Sequence, residues 1–239
     1  MIYPILMYHQ VDSSPKRGTP LRGLTVTPES FGRQMGLLHL LGYQGLSMKD
    51  LEPYLRGEIV GKVFGITFDD GYQNNISYAL PILLNYGFTA TCYAVSDTNQ
   101  RYNLWDRQQG VPQKALLTKS EMREWVRQGM DLGAHTRNHV DLTKLNFPQS
   151  VEQILGSKQE LQEITGQEVR HFCYPYGRYS PQHIQILQDS GYISATTVKR
   201  GRFHEGDSLF ELPRVMIAHS NPLFLFAAKT LWRYEDKYR

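Results

Sequence analysis

Cysteine is nearly absent: the 239-residue chain has two, Cys92 and Cys173, far apart and each inside an apolar, strand-like run. Two isolated thiols build neither a disulfide framework nor a cysteine-ligated zinc site, and each reads as a small buried hydrophobe. Long apolar runs are missing too, since no stretch approaches the roughly eighteen residues of a membrane span. The opening MIYPILMYHQVD (residues 1–12) has no basic region, and His9 interrupts its short apolar run, so it does not read as a secretory leader. The expected location is therefore the cytoplasm. Neither sign of charge is in excess: 26 Lys and Arg against 23 Asp and Glu leave +3. That argues against a dedicated nucleic-acid surface, which would show clustered Lys and Arg, and no nucleic acid is expected as a partner. Repeats, low-complexity tracts and linkers are lacking as well, so residues 1–239 read as one domain.

What is present is ample core material, 41% of the residues, arranged in short runs. Runs of strand length occupy residues 4–9, 43–48, 62–69, 88–95, 130–136, 170–176, 193–198 and 212–217. Helical patterns with start and stop signals lie between them. Thr27, Pro28 and Glu29 open one that Gly42 stops, and Ser180 with Pro181 opens another that ends at Gly191. Thr118, with Glu121 three residues on, forms a capping box for a segment ending at Gly129. This alternation predicts an α/β fold with a mostly parallel sheet and helices outside, and seven or eight units suit a closed or nearly closed (β/α) barrel. The stretch 97–117 has no strong period. Loops this long inside a domain are often functional, and Tyr102, Trp105 and Asp106 are candidates for lining a groove.

In a parallel barrel the active site gathers at the C-terminal ends of the strands. The segment GITFDDGYQNN (residues 65–75) runs an apolar strand straight into Asp69 and Asp70, with Gly71 suited to a tight turn. Adjacent carboxylates repel, and burying either unpaired is costly, so the pair reads as a site rather than a surface turn. The segment GAHTRNH places His135 and His139 four residues apart after another strand. On a turn of helix such residues share a face. Two imidazoles and one carboxylate would bind a divalent ion and leave positions open for water and substrate. Other strand ends deliver His9, His219, and Tyr176 in the turn of CYPYG (residues 173–177), where a backbone N–H can point into the site.

Together TFDDG, HTRNH and YPYG resemble the polysaccharide deacetylases of carbohydrate esterase family 4, the NodB-like metal-dependent de-N-acetylases. The opening PILMYHQV is similar to the subgroup with circularly permuted motif order that includes biofilm poly-N-acetylglucosamine deacetylases. There the histidine otherwise near the C-terminus sits on the first strand. The resemblance covers most of the chain and implies a distorted (β/α) barrel of about seven parallel strands. It implies one divalent ion held by Asp70, His135 and His139, zinc first, with cobalt, nickel and iron as the other candidates. It makes Asp69 the general base, His9 the general acid and the Tyr176 N–H a donor to the oxyanion. One position departs: the family's arginine three residues before the motif tyrosine is Cys173 here. Arg214, in LPRVMI, resembles a recurrent element of the permuted subgroup and is the candidate substitute. His219 competes with His9 for the acid role, but the LMYHQV context of His9 is the closer match.

The implied reaction removes N-acetyl groups from amino sugars. A cytoplasmic location would suit a glycan on a lipid or nucleotide carrier, or a short glycan being assembled for an exopolysaccharide. Three other readings compete. A non-catalytic glycan-binding relative would not need both aspartates and all three histidines. A non-haem iron oxygenase also uses two histidines and a carboxylate but normally rests on a jelly roll. A serine hydrolase would need a G-x-S-x-G turn, which is lacking. The last segment, NPLFLFAAKTLWRYEDKYR, reads as a helix from near Asn221 and Pro222 that packs Phe224, Leu225, Ala228 and Leu231 on the sheet. Lys229, Arg233, Lys237 and Arg239 beside Trp232 and Tyr234 would also suit an anionic membrane surface, offset by Glu235 and Asp236.

Overall fold

The structure, a computed structural model, describes residues 1–238, so Arg239 of the basic C-terminal set lies outside the described residues. Its main strands are β1 (Ile5–Tyr8), β2 (Gln44–Leu46), β3 (Val63–Phe68), β4 (Thr91–Ala94), β5 (Asp131–Ala134), β6 (His171–Cys173), β7 (Ser194–Arg200) and β8 (Leu212–Met216). The α-helices are α1 (Pro28–Leu40), α2 (Met48–Leu55), α3 (Leu80–Tyr86), α4 (Lys119–Arg127), α5 (Phe147–Thr165), α6 (Pro181–Asp189) and α7 (Leu223–Leu231). β1 pairs with both β3 and β8, and the ring β1–β8–β7–β6–β5–β4–β3 closes with every pairing parallel. The expected barrel of seven parallel strands is therefore closed.

The eighth candidate, 43–48, is a strand but not part of the ring. β2 pairs along Val63–Gly65 of β3, and β4 takes over the same edge at Thr67 and Phe68. Most strands are shorter than their apolar runs, and in four of them a residue past the strand end, His9, Asp69, His135 or Tyr176, lines the site cavity. β7 instead extends two residues further, to Arg200.

Every residue of β3 is buried, as a parallel strand covered on both faces requires. Its alternation sorts them. Phe64, Ile66 and Phe68 join Leu6 and Tyr8 in the layer beneath the helices, which also holds Phe31, Met35, Trp125 and Leu161. Val63 and Ile5 instead join Tyr93, Cys173 and Leu212 in a second cluster, floored by Met48 and Leu51 of α2. By that parity Thr67 and Asp69 also face inward, as does Arg214 two residues after Leu212. Gly133 makes room for this interior: a Cβ there would meet the Tyr93 ring at 2.4 Å.

The caps behave as expected at α1 and α4. Thr27 Oγ1 accepts from the Ser30 N–H at 3.2 Å, and Thr118 and Glu121 form a reciprocal box. The helix α5, 19 residues long, carries the same signals in Asn146, Gln149 and Gly166. At α7 Leu231 packs against the core as expected, but the rest of the buried face differs. The helix starts at Leu223, which turns Phe226, Lys229 and Thr230 to the barrel, while Phe224 is 75% exposed. The Lys229 ammonium points inward to the Met216 carbonyl and to Glu235. Arg200 pairs with Glu235 and Arg202 with Asp236. Among the described residues no helix is long and apolar enough to cross a membrane.

Candidate active site

Asp69 leaves β3 still directed by the strand, its N–H donating to the Tyr8 carbonyl at 3.0 Å. Its carboxylate receives both Nη groups of Arg214 at 2.7 Å each. Arg214 is 1% exposed, so this is a fully buried bidentate pair. The guanidinium also donates to the Thr197 carbonyl at 2.8 Å, Thr67 Oγ1 at 3.0 Å and Cys173 Sγ at 3.3 Å. Cys173, where the resemblance leads one to expect an arginine, borders the guanidinium that reaches Asp69 from β8. Burial works against charge on both partners, yet the guanidinium holds the Asp69 carboxyl below its usual range. In return Asp69 raises Arg214.

Asp70 takes the opposite direction. It and Gly71 are both left-handed, at φ 72 and φ 74, and this turn swings the second carboxylate off the strand axis. Gly71 has a second reason to be glycine, since a Cβ would lie 3.1 Å from Ala94 Cα. Asp70 Oδ1 then lies 3.4 Å from His135 Nε2 and 3.2 Å from His139 Nε2. Burial penalises its charge, but hydrogen bonds from the two imidazoles outweigh that and hold it well below the usual carboxylate range.

The two histidines are not on a helix, contrary to the reading of their spacing. Thr136 and His139 adopt φ 63 and φ 55 in a tight turn after β5, and that turn brings the ring centroids to 4.9 Å. His135 Nδ1 donates to the Cys173 carbonyl at 2.7 Å, which fixes the ring so that Nε2 faces Asp70. One ligand atom each from Asp70, His135 and His139 lie within 4.8 Å of one another, all three residues buried. Such a convergent two-nitrogen, one-oxygen set fits a divalent ion with open positions.

Both aspartates, His9, His135, His139 and Tyr176 border one cavity of ≈ 210 Å³. Asn75 fixes the His9 backbone, donating to its carbonyl at 2.8 Å and accepting from the Val11 N–H at 3.1 Å. His219 is not brought to the cavity: its ring contacts the Thr25 carbonyl and Ser14 Oγ instead. Tyr176 is left-handed at φ 59 in a turn closed by Gly177 and Arg178 donating to Tyr174 and Pro175. Among the described residues the Tyr176 N–H has no hydrogen-bond partner outside this turn. Of the three candidates in the long loop, Trp105 stacks on His139 at 4.2 Å and 15°, and Asp106 also borders the cavity. Tyr102 does not, and stands 49% exposed. Leu21, Leu24 and Val198 line the cavity without any sequence signal to mark them.

Residues 57–195, more than half of the chain, match the family model described as polysaccharide deacetylase. The chain belongs to the polysaccharide deacetylase family. His9 and Arg214 lie outside the matched stretch, so their place in this deacetylase-family site comes from the fold rather than from the family model. The chain is 30% identical over 217 residues to the Bacillus subtilis protein YxkH, whose name places it among polysaccharide deacetylases. That alignment covers 90% of this chain and 71% of YxkH. Identity is 25% to the Escherichia coli poly-beta-1,6-N-acetyl-D-glucosamine N-deacetylase, across 88% of this chain but 36% of that protein. The Streptococcus pyogenes deacetylase PplD, solved in complex with acetate, superposes with a TM-score of 0.84 at 27% identity. The match spans 96% of this chain and 98% of PplD.

Proposed function

We propose that this protein is a divalent-metal-dependent hydrolase that removes N-acetyl groups from amino sugars in an oligosaccharide, a polysaccharide or a carrier-linked glycan. One observation carries the reading: the adjacent carboxylates face different partners at one cavity, Asp69 on Arg214 and Asp70 on two histidines. That division suits a base and a metal ligand. The acetate bound to the Streptococcus pyogenes relative is the acid that such a reaction releases.

A bound divalent ion, zinc before cobalt, nickel or iron, would lower the pKa of a coordinated water and polarise the amide carbonyl. Asp70, His135 and His139 would hold it. Asp69, kept ionised by Arg214, takes the proton from the attacking water. The Tyr176 N–H donates to the oxyanion as the carbonyl carbon becomes tetrahedral. His9 delivers a proton to the nitrogen as the C–N bond breaks, giving acetate and the free amine. The closed parallel barrel disfavours the oxygenase reading, and the complete set of acid, base and ligands disfavours a non-catalytic glycan binder.

The test combines elemental analysis with acetate release from chitooligosaccharides. His135→Ala is expected to lose both metal and activity. Asp69→Asn is expected to keep metal and lose turnover, whereas Asp70→Asn loses metal first. Full metal occupancy in His135→Ala, or the reverse behaviour of the two aspartates, would refute the assignment.

A further inference from the structure

A second cavity, of ≈ 270 Å³, opens beside the catalytic one, where the loop after β1 faces the long loop before α4. The two cavities have Leu21, Leu24 and Asp106 in common, so they adjoin across these side chains. Leu21 stands at this partition in the left-handed region, at φ 54 and ψ 21. A bulky residue is strained there, and Leu21 is 43% exposed, so burial offsets little of that. The conformation instead presents an apolar side chain at the junction, where the carbon face of a sugar ring would rest.

Charge in the second cavity is one-sided. Lys16, Arg22 and Lys114 line it, against Asp106 alone. Lys114 is paired with Asp12 at 2.8 Å. Arg22 donates to two uncharged acceptors, the Pro15 carbonyl at 2.8 Å and Ser14 Oγ at 3.2 Å. The Lys16 ammonium has no carboxylate partner among the described residues. Asp106 belongs to the wall shared with the catalytic cavity, whereas Lys16 and Arg22 line the second cavity only. The uncompensated cations therefore stand away from the acidic centre.

We propose that this cavity is a subsite for the group attached to the reacting sugar, and that it takes an anionic one, a phosphate ester or a uronic carboxylate, through Lys16 and Arg22. The proposal rests on the deacetylase reading of the adjoining cavity and adds a substrate preference to it. With the acetamido group at Asp69 and Asp70, the sugar ring lies on Leu21 and its anionic neighbour reaches the cations beyond. A sugar on a carrier phosphodiester has this form, and so does one linked to a uronic acid.

The experiment compares kcat/KM for acetate release from three probes by the metal-loaded protein. They are neutral chitobiose, N-acetylglucosamine bearing a methyl phosphodiester at C1, and N-acetylglucosaminyl-glucuronic acid. At least one anionic probe is expected to exceed chitobiose by about tenfold at low salt, and the preference should shrink as ionic strength screens it. Which probe gains identifies the source of the anion. Lys16 is exposed, so Lys16→Glu should fold normally and cut the anionic-to-neutral ratio by about fivefold. Equal kcat/KM on all three probes, with a ratio unmoved by Lys16→Glu, overturns the subsite. If no probe releases acetate, the deacetylase reading fails instead. Titration calorimetry then decides the subsite separately: salt-sensitive binding of the phosphodiester or uronic acid probe, weakened in Lys16→Glu, supports it, and no binding overturns it.

Discussion

Asp69 and Asp70 coexist at neighbouring positions because the backbone reverses between them and each finds its own partners. Asp69 keeps the inward direction set by the alternation of β3 and meets a guanidinium from β8, 145 residues away in sequence. The pair is the least replaceable contact of the site, because its two charges are buried and each satisfies the other. Arg214→Lys keeps a charge but loses the fork, and it is expected to lower kcat by about a hundredfold while metal content stays near one per chain. Arg214→Met leaves Asp69 buried without a cation, which costs about 3–5 kcal/mol of stability. It should also move the acidic limb of the rate profile upward, since the native Asp69 carboxyl is held below its ordinary value by that guanidinium. Urea unfolding, metal analysis and a pH–rate profile measure the three effects. An unshifted acidic limb would show that Arg214 acts on packing alone.

Among the elements, the turns after the strands are more informative than the strands. Asp70, Thr136, His139 and Tyr176 all take left-handed φ values, and three of these four border the catalytic cavity. Non-glycine residues are strained there, and the surrounding barrel holds them in place. Helix α7 shows the opposite case, a segment with a suggestive composition and an ordinary packing role. Phe226 is fully buried, Lys229 is turned inward, and Glu235 and Asp236 are engaged by Arg200 and Arg202. Of the described basic residues of this segment only Arg233 and Lys237 stay exposed, fewer than the cluster that holds a protein on an anionic surface at physiological salt, although Phe224 and Trp232 are exposed too. Co-sedimentation with anionic vesicles at physiological salt is therefore expected to recover no protein. Binding that Phe224→Ser abolishes would restore the membrane role.

For the whole molecule, one buried group sets a pH dependence far from the chemistry. Asp131 opens β5, at the end of the barrel opposite the site, and its carboxylate accepts from Thr91 Oγ1 at 2.6 Å. Burial pushes it up to about 6, against the smaller opposing effect of that hydrogen bond. A native pKa above the unfolded one gives a contribution that is fully present below about pH 4 and lost as pH rises through 6. At neutral pH the native state therefore carries the full cost of a buried charge. Asp131→Asn keeps an acceptor for Thr91 and removes that cost. It is expected to stabilise the protein by about 2 kcal/mol at pH 7.5 and by much less at pH 4.5. Urea midpoints at the two pH values check the sign. A larger gain at the lower pH would contradict the raised carboxyl.

The sequence by itself determined the βα alternation, the parallel sheet and the family, because these follow from short-range periodicity, capping residues and contiguous motifs. Asp70, His135 and His139 were legible for the same reason: each lies in a short segment at the end of an apolar run. Tertiary structure decided the rest. Closing the ring excluded β2, since β3 has only two edges and β1 and β4 take their upper halves. The pairing of Arg214 with Asp69 depended on the inward parity of two strands that only closure makes adjacent. His9 borders the cavity and His219 does not, because Asn75 holds the His9 backbone there while His219 is turned to the Thr25 carbonyl. The second cavity, with Leu21, Lys16 and Arg22, exists only where two loops far apart in sequence meet. No local pattern encodes that meeting, because it is fixed by the strands that carry the loops.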